Sequence, residues 1–378
     1  LNPVLAEMAP SPIRRMNQLK QPGDMDLGLG EPTWPVPEDL VDVALDAVRR
    51  LGTAYGPNAG LAEVREALAR ARGGHWQDRG AAAAILTVGA QEAVATAMGT
   101  LLAPGDELLV VTPAYPLYQR LAEWLGISCR TVAMPAATGF APDPERILRA
   151  VGPKTRLVVL GQPGNPTGRA LDEPGLEMLC RGLERHEARP WLLSDEVYRD
   201  LPAARASLPT AIDHGARVLV AGSLSKSHAA TGWRIGWLLG PPDVLAGAGR
   251  LHQLLVTSTG IPGQRLLEAV CHREAWQRSS GASRDRWQMA EPALVHSGLR
   301  HIVPDGGFFT LVQPTEGALA DSDAAAHAVL ERARIVTIPG AAFAAEGWLR
   351  ISLLAPSDRL APGLVQLARC LAEISRAG

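Results

Sequence analysis

Lys226 stands in the run Ser223-Leu-Ser-Lys226-Ser-His-Ala-Ala-Thr-Gly-Trp-Arg234-Ile-Gly236, in a chain with only two other lysines, Lys20 and Lys154. Two hydroxyls, Ser223 and Ser225, precede the amine, and an arginine follows eight residues later. Amine, hydroxyls and guanidinium together suit one kind of ligand, a carbonyl compound that also carries a phosphate. The amine condenses with the carbonyl while the other groups hold the anion. Lysine forming a Schiff base with pyridoxal phosphate is chemistry of this kind. The competing reading is a surface lysine at a helix start.

This segment resembles the lysine-containing signature of the class I and II aminotransferases, the aspartate aminotransferase-like group of fold type I pyridoxal phosphate enzymes. Other segments resemble that family's motifs in the family's own order: Gly30-Glu-Pro, Tyr55-Gly-Pro-Asn-Ala-Gly60, Thr87-Val-Gly-Ala-Gln91, Pro113-Ala-Tyr115-Pro-Leu-Tyr118, Asn165-Pro-Thr-Gly168, Asp195-Glu-Val-Tyr198 and Arg350-Ile-Ser352. Together they cover nearly the whole chain.

Physical chemistry assigns some of these residues independently. Val88-Gly89-Ala90-Gln91 turns from strand to helix, so the free N–H groups of Ala90 and Gln91 can face an anion, with Ser223 and Arg234 adding charge-assisted bonds. A glycine turn alone is more often just a strand-to-helix connection. Asp195 follows the apolar run Trp191-Leu-Leu-Ser. A carboxylate at the end of a buried strand needs a partner, and a protonated pyridine nitrogen supplies one. Arg350 interrupts the apolar Trp348-Leu-Arg-Ile-Ser-Leu, where its fork suits a substrate α-carboxylate and a structural salt bridge is the alternative.

The resemblance implies the remaining roles. Tyr198 and Asn165 would hydrogen-bond the cofactor's ring oxygen, and Asn165 would also serve the substrate. Tyr115 would stack on the pyridine face, although Tyr115 and Tyr118 also read as an aromatic pair in a loop core. Tyr55 would reach the phosphate of a neighbouring subunit, which implies a homodimer with shared active sites. Gly30 would bring backbone to the substrate carboxylate, and Trp34 would wall the side-chain pocket. Two departures stand out: Gly164 occupies a position where many members have asparagine, and His228 replaces an aromatic or small apolar residue. That imidazole reads either as tuning the phosphate or as sitting at the helix start.

The elements positioning these residues follow from hydrophobic runs. Apolar segments at Ala84 to Val88, Glu107 to Thr112, Arg156 to Gly161, Pro190 to Ser194, Arg217 to Gly222 and Ile235 to Gly240 alternate with helical stretches. Such alternation predicts an α/β fold: a large domain whose mainly parallel sheet is sandwiched by helices, with ligands at the carboxyl ends of the strands. Leu61, Val64, Ala67, Leu68 and Ala71 share one helical face over 61–72. After about Gln264 the strand spacing changes. That shift sets the large cofactor-binding domain at 38–272. By resemblance, a smaller α+β domain combines the N-terminal arm, 1–37, with 273–378.

Composition excludes other classes. The 378 residues, 47% hydrophobic, suffice for a large core, and a net charge of −2 without a basic stripe gives no footprint for nucleic acid or anionic lipid. Cys129, Cys180, Cys271 and Cys370 show no metal-type spacing and read as small buried hydrophobes in a reducing compartment. The opening residues lack a leader pattern and no apolar stretch reaches about 18 residues, so a cytoplasmic location without a membrane span is expected.

The expected activity is pyridoxal phosphate-dependent transamination. An L-amino acid leaves its amino group and a 2-oxo acid collects it in a ping-pong cycle; the resemblance implies a neutral or aromatic donor, because Gln91 is a neutral amide where relatives selective for acidic substrates can carry a cation. The alternative on the same scaffold is a cysteine-sulfur β-lyase. A transcriptional regulator built on such a domain would need an added DNA-binding module, and none is read here.

Overall fold

The computed structural model describes residues 3–32, 34–51, 54–272, 276, 280–314 and 319–377. Strand β1 (Met25–Asp26) belongs to the N-terminal arm. Strands β2 (Ala84–Thr87), β3 (Glu107–Thr112), β4 (Ser128–Ala133), β5 (Thr155–Gly161), β6 (Trp191–Asp195), β7 (Val218–Ser223) and β8 (Gly236–Leu239) form one sheet. Strands β9 (Arg300–His301), β10 (Phe309–Gln313), β11 (Ile335–Val336), β12 (Ile338–Pro339) and β13 (Leu349–Ser352) complete the chain's β structure among the described residues.

The large sheet runs β2-β8-β7-β6-β5-β3-β4, with only β8 antiparallel to its neighbours. Its strands separate two cores by simple alternation. Leu109, Val158, Leu160, Leu192 and Val220 face one cluster, while Leu108, Leu157, Val159, Leu193 and Leu219 face the other. Both faces are apolar because helices cover both, as a parallel sheet requires. The helix Ala90–Leu101 contributes Ala93, Val94, Ala97 and Met98 to the second cluster.

The six apolar runs read from sequence fall on β2, β3 and β5 to β8. Strand β4 escaped that reading because five of its six residues are exposed and only Val132 is buried, the pattern of an edge strand. Cys129 lies on it and is exposed, contrary to the expectation of four buried thiols. Cys180 and Cys370 are buried, and Cys271 is half-buried.

A second cluster of helices and sheet gathers both chain ends. Strand β1 pairs in parallel with β11, and Ser352 N donates to Leu27 O at 2.6 Å. Met16, Met25 and Leu27 pack with Trp287, Leu349, Leu364 and Leu367. The sheet β12-β13-β10-β9 is wholly antiparallel and places Arg350 at the centre of β13. This unit meets the large sheet's layer through Phe140 and Trp348, whose rings lie 5.6 Å apart edge-to-face. The helix predicted over 61–72 runs Ala62–Arg72.

Candidate active site

The carboxyl ends of β5, β6 and β7 open into a cavity of ≈ 630 Å³. Register sets what faces it: Gly161 pairs with Asp195, Asp195 with Ala221, and Ser223 with Gly236. After β7 the chain makes a single helical turn, Leu224–Ser227, capped by Ser223 Oγ accepting from Ser225 N at 3.0 Å. Ser223 Oγ also donates to Ile235 O at 2.7 Å and lies 2.7 Å from Ser225 Oγ. That turn carries Lys226 into the cavity, where Nζ donates to Gly30 O. Loss of solvent, aided by Arg350 and Arg234 and opposed by Glu31, pulls the amine down to about 8. An amine so tuned is available as a neutral nucleophile near physiological pH.

Asp195 ends β6 and is 8% exposed. Its Oδ2 accepts from Tyr118 Oη at 2.8 Å and its Oδ1 from Val197 N at 3.3 Å. No cation lies within ion-pairing distance among the described residues, and burial pushes its carboxyl up. The neighbouring Glu196 turns away, accepting from Ser194 Oγ and Ala211 N. Tyr118 therefore holds the carboxylate, a link with no local trace in either segment's residues.

Facing Lys226, the helix Ala90–Leu101 begins after Gly89, whose φ of 81° lies in the left-handed region. Space as well as angle demands glycine there, since a Cβ would come within 2.7 Å of Arg234 Nη2. Arg234 bonds Thr231 O at 2.8 Å and Val88 O at 3.0 Å, which anchors its guanidinium beside the turn. Among the described residues nothing accepts from the N–H groups of Ala90 and Gln91, and both residues line the cavity. Glu92 Oε2 closes the turn by accepting from Val88 N at 2.6 Å, while its Oε1 meets the buried His252 Nδ1 at 2.7 Å.

Arg350 is 2% exposed, yet no carboxylate lies within ion-pairing distance of it among the described residues. Its Nη1 donates to Asn165 Oδ1 at 3.2 Å and its Nη2 to Gly28 O, while Nε is buried without a partner. The guanidinium lies over Phe309 at 4.2 Å and Phe343 at 5.1 Å. Burial lowers it to about 10. The salt-bridge alternative is thus not what the structure shows.

Asn165, Tyr115 and Tyr198 complete the lining with Gly30 and Arg350. The Asn165 segment closes on Gly168, at φ +66, where a Cβ would strike Pro304. Tyr198 is wedged edge-on against Phe308 and Phe309, and burial raises its phenol. Trp34, Tyr55 and His228, singled out in the sequence, lie outside the lining, as does Gly164. Trp34 packs edge-on against Phe308, Tyr55 is 89% exposed, and His228 is buried at the end of the Lys226 turn with Nδ1 2.9 Å from Ser227 Oγ. Conversely Ser11, Ile13, Arg14 and Asn17 line the cavity from the helix Pro12–Leu19 and its N-cap, which sequence reasoning missed. Their signal is an ordinary amphipathic helix.

The donor set fits pyridoxal phosphate. Uncommitted N–H groups at a helix start and the Arg234 guanidinium suit its phosphate, the Asp195 carboxylate, without a cationic partner among the described residues, its ring nitrogen, and Lys226 its aldehyde.

Residues 22–361 match the family described as aminotransferase class I and II. The aspartate/prephenate aminotransferase of Thermus thermophilus is 32% identical over 91% of this chain and 90% of its own length. The arginine–pyruvate transaminase of Pseudomonas aeruginosa is 31% identical over 92% and 90%. Among solved structures, Thermus thermophilus aspartate aminotransferase with maleate superposes with a TM-score of 0.90 at 31% identity, covering 98% of this chain and 99% of that one. N-succinyldiaminopimelate aminotransferase from Mycobacterium tuberculosis gives 0.89 at 27% identity, covering 98% of this chain and 100% of that one. The chain belongs to the class I and II aminotransferases, the fold type I enzymes that work with pyridoxal 5'-phosphate.

Proposed function

We propose that this protein transfers the amino group of an L-amino acid, neutral or aromatic by preference, to a 2-oxo acid by a ping-pong cycle. The carrying observation is the buried Arg350 guanidinium, without an acidic partner among the described residues, in the same cavity as Lys226. Desolvating a cation costs several kcal/mol unless an anion joins it, so the site is built for a ligand carboxylate. Asn165 holds the fork in place through its 3.2 Å bond.

Bound pyridoxal phosphate supplies the aldehyde and the electron-withdrawing ring. Ala90, Gln91, Ser223, Ser225 and Arg234 would hold its phosphate, Asp195 its ring nitrogen, and Tyr198 with Asn165 its ring oxygen, and Tyr115 would stack on its ring. Lys226 Nζ would anchor the cofactor through its aldehyde and would be the general base that takes and returns the proton at substrate Cα. Gly30 would support the substrate carboxylate, and Trp34 would back the wall through Phe308, whose ring packs 4.7 Å from Phe309 of the lining.

The exposed Tyr55 supports a homodimer in which its hydroxyl completes the neighbouring subunit's phosphate site. Domains at 38–272 and at 1–37 with 273–378 accord with the pairing of β1 to β11 and with the shared apolar cluster. No described helix is long and apolar enough to cross a membrane; a cytoplasmic location is our reading. Relatives differ in their named substrates, so the preference for neutral or aromatic donors rests on the uncharged Gln91 in the lining.

The test is a panel of half-reactions. Each L-amino acid is added to the cofactor-loaded protein and its visible absorbance followed. Neutral or aromatic acids should bleach it fastest. A protein bleached by none of them would refute the proposal.

A further inference from the structure

Taking the cavity as an aminotransferase site, we propose that Arg14 is the residue that receives the second carboxylate of a dicarboxylic substrate, in particular a five-carbon 2-oxo acid acceptor. The helix Pro12–Leu19 that carries it is fixed from both sides. Met16 is buried at 1% in the core beneath, Arg15 pairs with Asp323 at 3.0 Å, and Arg120 Nη1 donates to Ala9 O at 2.6 Å just before the helix. The face left over, with Ile13, Arg14 and Asn17, lines the cavity.

Arg14 is the cavity's uncommitted cation. Lys226 is engaged with Gly30 O, Arg234 with Val88 O and Thr231 O, Arg350 with Asn165 and Gly28 O, and Arg120 with Ala9 O. Among the described residues Arg14 has no hydrogen bond or ion pair. The lining's anions do not claim it either, because Asp195 is bonded by Tyr118 and Glu31 Oε1 accepts from Thr231 Oγ1 at 2.5 Å. Arg14 and Arg350 both act on the Tyr115 phenol, opposing the upward pull of burial. One side chain therefore stands within Coulombic reach of both guanidiniums. A ligand whose α-carboxylate sits on Arg350 meets Arg14 as the next available partner for a second carboxylate, and the planar fork suits it.

Exposure gives this cation its use. A ping-pong enzyme must admit two different side chains to one cavity in turn. A buried cation would penalise a neutral or aromatic donor, whereas an exposed arginine swings into water at little cost and returns for an acidic one.

The experiment uses the cofactor-loaded protein, with Arg14→Gln and Arg14→Lys. Binding of glutarate and butyrate, a non-reacting dicarboxylate and its monocarboxylate counterpart, is measured by calorimetry. The same proteins are then compared in the half-reactions of glutamate and alanine. We expect the unaltered protein to bind glutarate about tenfold or more tightly than butyrate, within what one charge-assisted contact gives. Arg14→Gln should remove most of that gap, lower the glutamate-to-alanine ratio of kcat/KM by a similar factor, and abolish the gap's sensitivity to salt. Arg14→Lys should keep part of it. A glutarate preference that survives Arg14→Gln unchanged would overturn the proposal, as would equal losses for both ligands. Should no amino acid react at all, the aminotransferase reading falls, and the glutarate and butyrate comparison still decides the role of Arg14.

Discussion

Tyr118 Oη donates to Asp195 Oδ2 at 2.8 Å in the lining of the cavity. Apart from the Val197 N–H at 3.3 Å, it is the only hydrogen bond described for a carboxylate whose burial otherwise favours its neutral form. Tyr118→Phe keeps the ring and removes that support. A hydrogen bond to a charged group contributes about 1.5 to 3 kcal/mol, so cofactor affinity should fall about 10- to 100-fold. The loss should deepen as pH falls, because a carboxyl pushed further up protonates sooner. Spectrophotometric titration of cofactor-free protein at several pH values checks this, and an affinity unchanged at all of them would show that Asp195 needs no help.

The Lys226 amine, lowered to about 8, makes cofactor capture pH-dependent. Only the neutral amine attacks an aldehyde, so capture by the cofactor-free protein should accelerate as pH rises toward 8 and level off above it. The same shift acts on stability. The folded state loses this proton near pH 8 and the unfolded state near 10.5, so between those values the unfolded state binds more protons and stability rises with pH. Chemical denaturation across that window, compared with Lys226→Met, should show the rise in the native chain and its loss in the variant. Capture rates flat from pH 6 to 9 would show an ordinary lysine.

Lys226→Ala should abolish turnover and leave the fold intact, since among the described residues the side chain hydrogen-bonds only the Gly30 carbonyl. Borohydride reduction of the loaded native protein, followed by peptide mapping, should place the label on Lys226. A label on Lys20 or Lys154 would contradict the assignment.

Arg350→Lys should raise the KM for the amino acid and leave cofactor affinity nearly unchanged. A point charge cannot reproduce the fork, and losing one partner of a desolvated charge pair costs about 2 to 5 kcal/mol in kcat/KM. Unaltered kinetics would make Arg350 a packing residue on Phe309.

Tyr55→Phe should weaken cofactor binding by about 1.5 to 3 kcal/mol if its hydroxyl serves a second copy. Hybrids of a Tyr55→Phe chain with a Lys226→Ala chain should recover one complete site. A fully active monomer in sedimentation would refute the shared site.

What could be read in advance follows from how local each signal is. Lys226, Asp195 and Asn165 stand at or just beyond the ends of apolar runs, and those runs become β7, β6 and β5, so both residue and position were visible. Arg350 was visible as a charge inside an apolar strand. Contacts across long separations were not. Tyr118 and Asp195 are 77 positions apart, and nothing local in either segment records their bond. Arg14 reaches the cavity because the buried Met16, the Arg15–Asp323 pair and the Arg120 bond to Ala9 O seat its helix, contacts with distant partners that the local sequence does not record. Strand β4 was lost because an exposed edge needs no apolar alternation.

The most direct test of transamination is stoichiometry without an acceptor. The loaded protein is mixed with an excess of a reactive L-amino acid, and released 2-oxo acid and ammonia are both measured. Transamination is expected to give one equivalent of 2-oxo acid per site and no ammonia, then to stop until a second 2-oxo acid restores the visible absorbance. Continued release of 2-oxo acid together with ammonia would contradict it and mark the protein as a lyase.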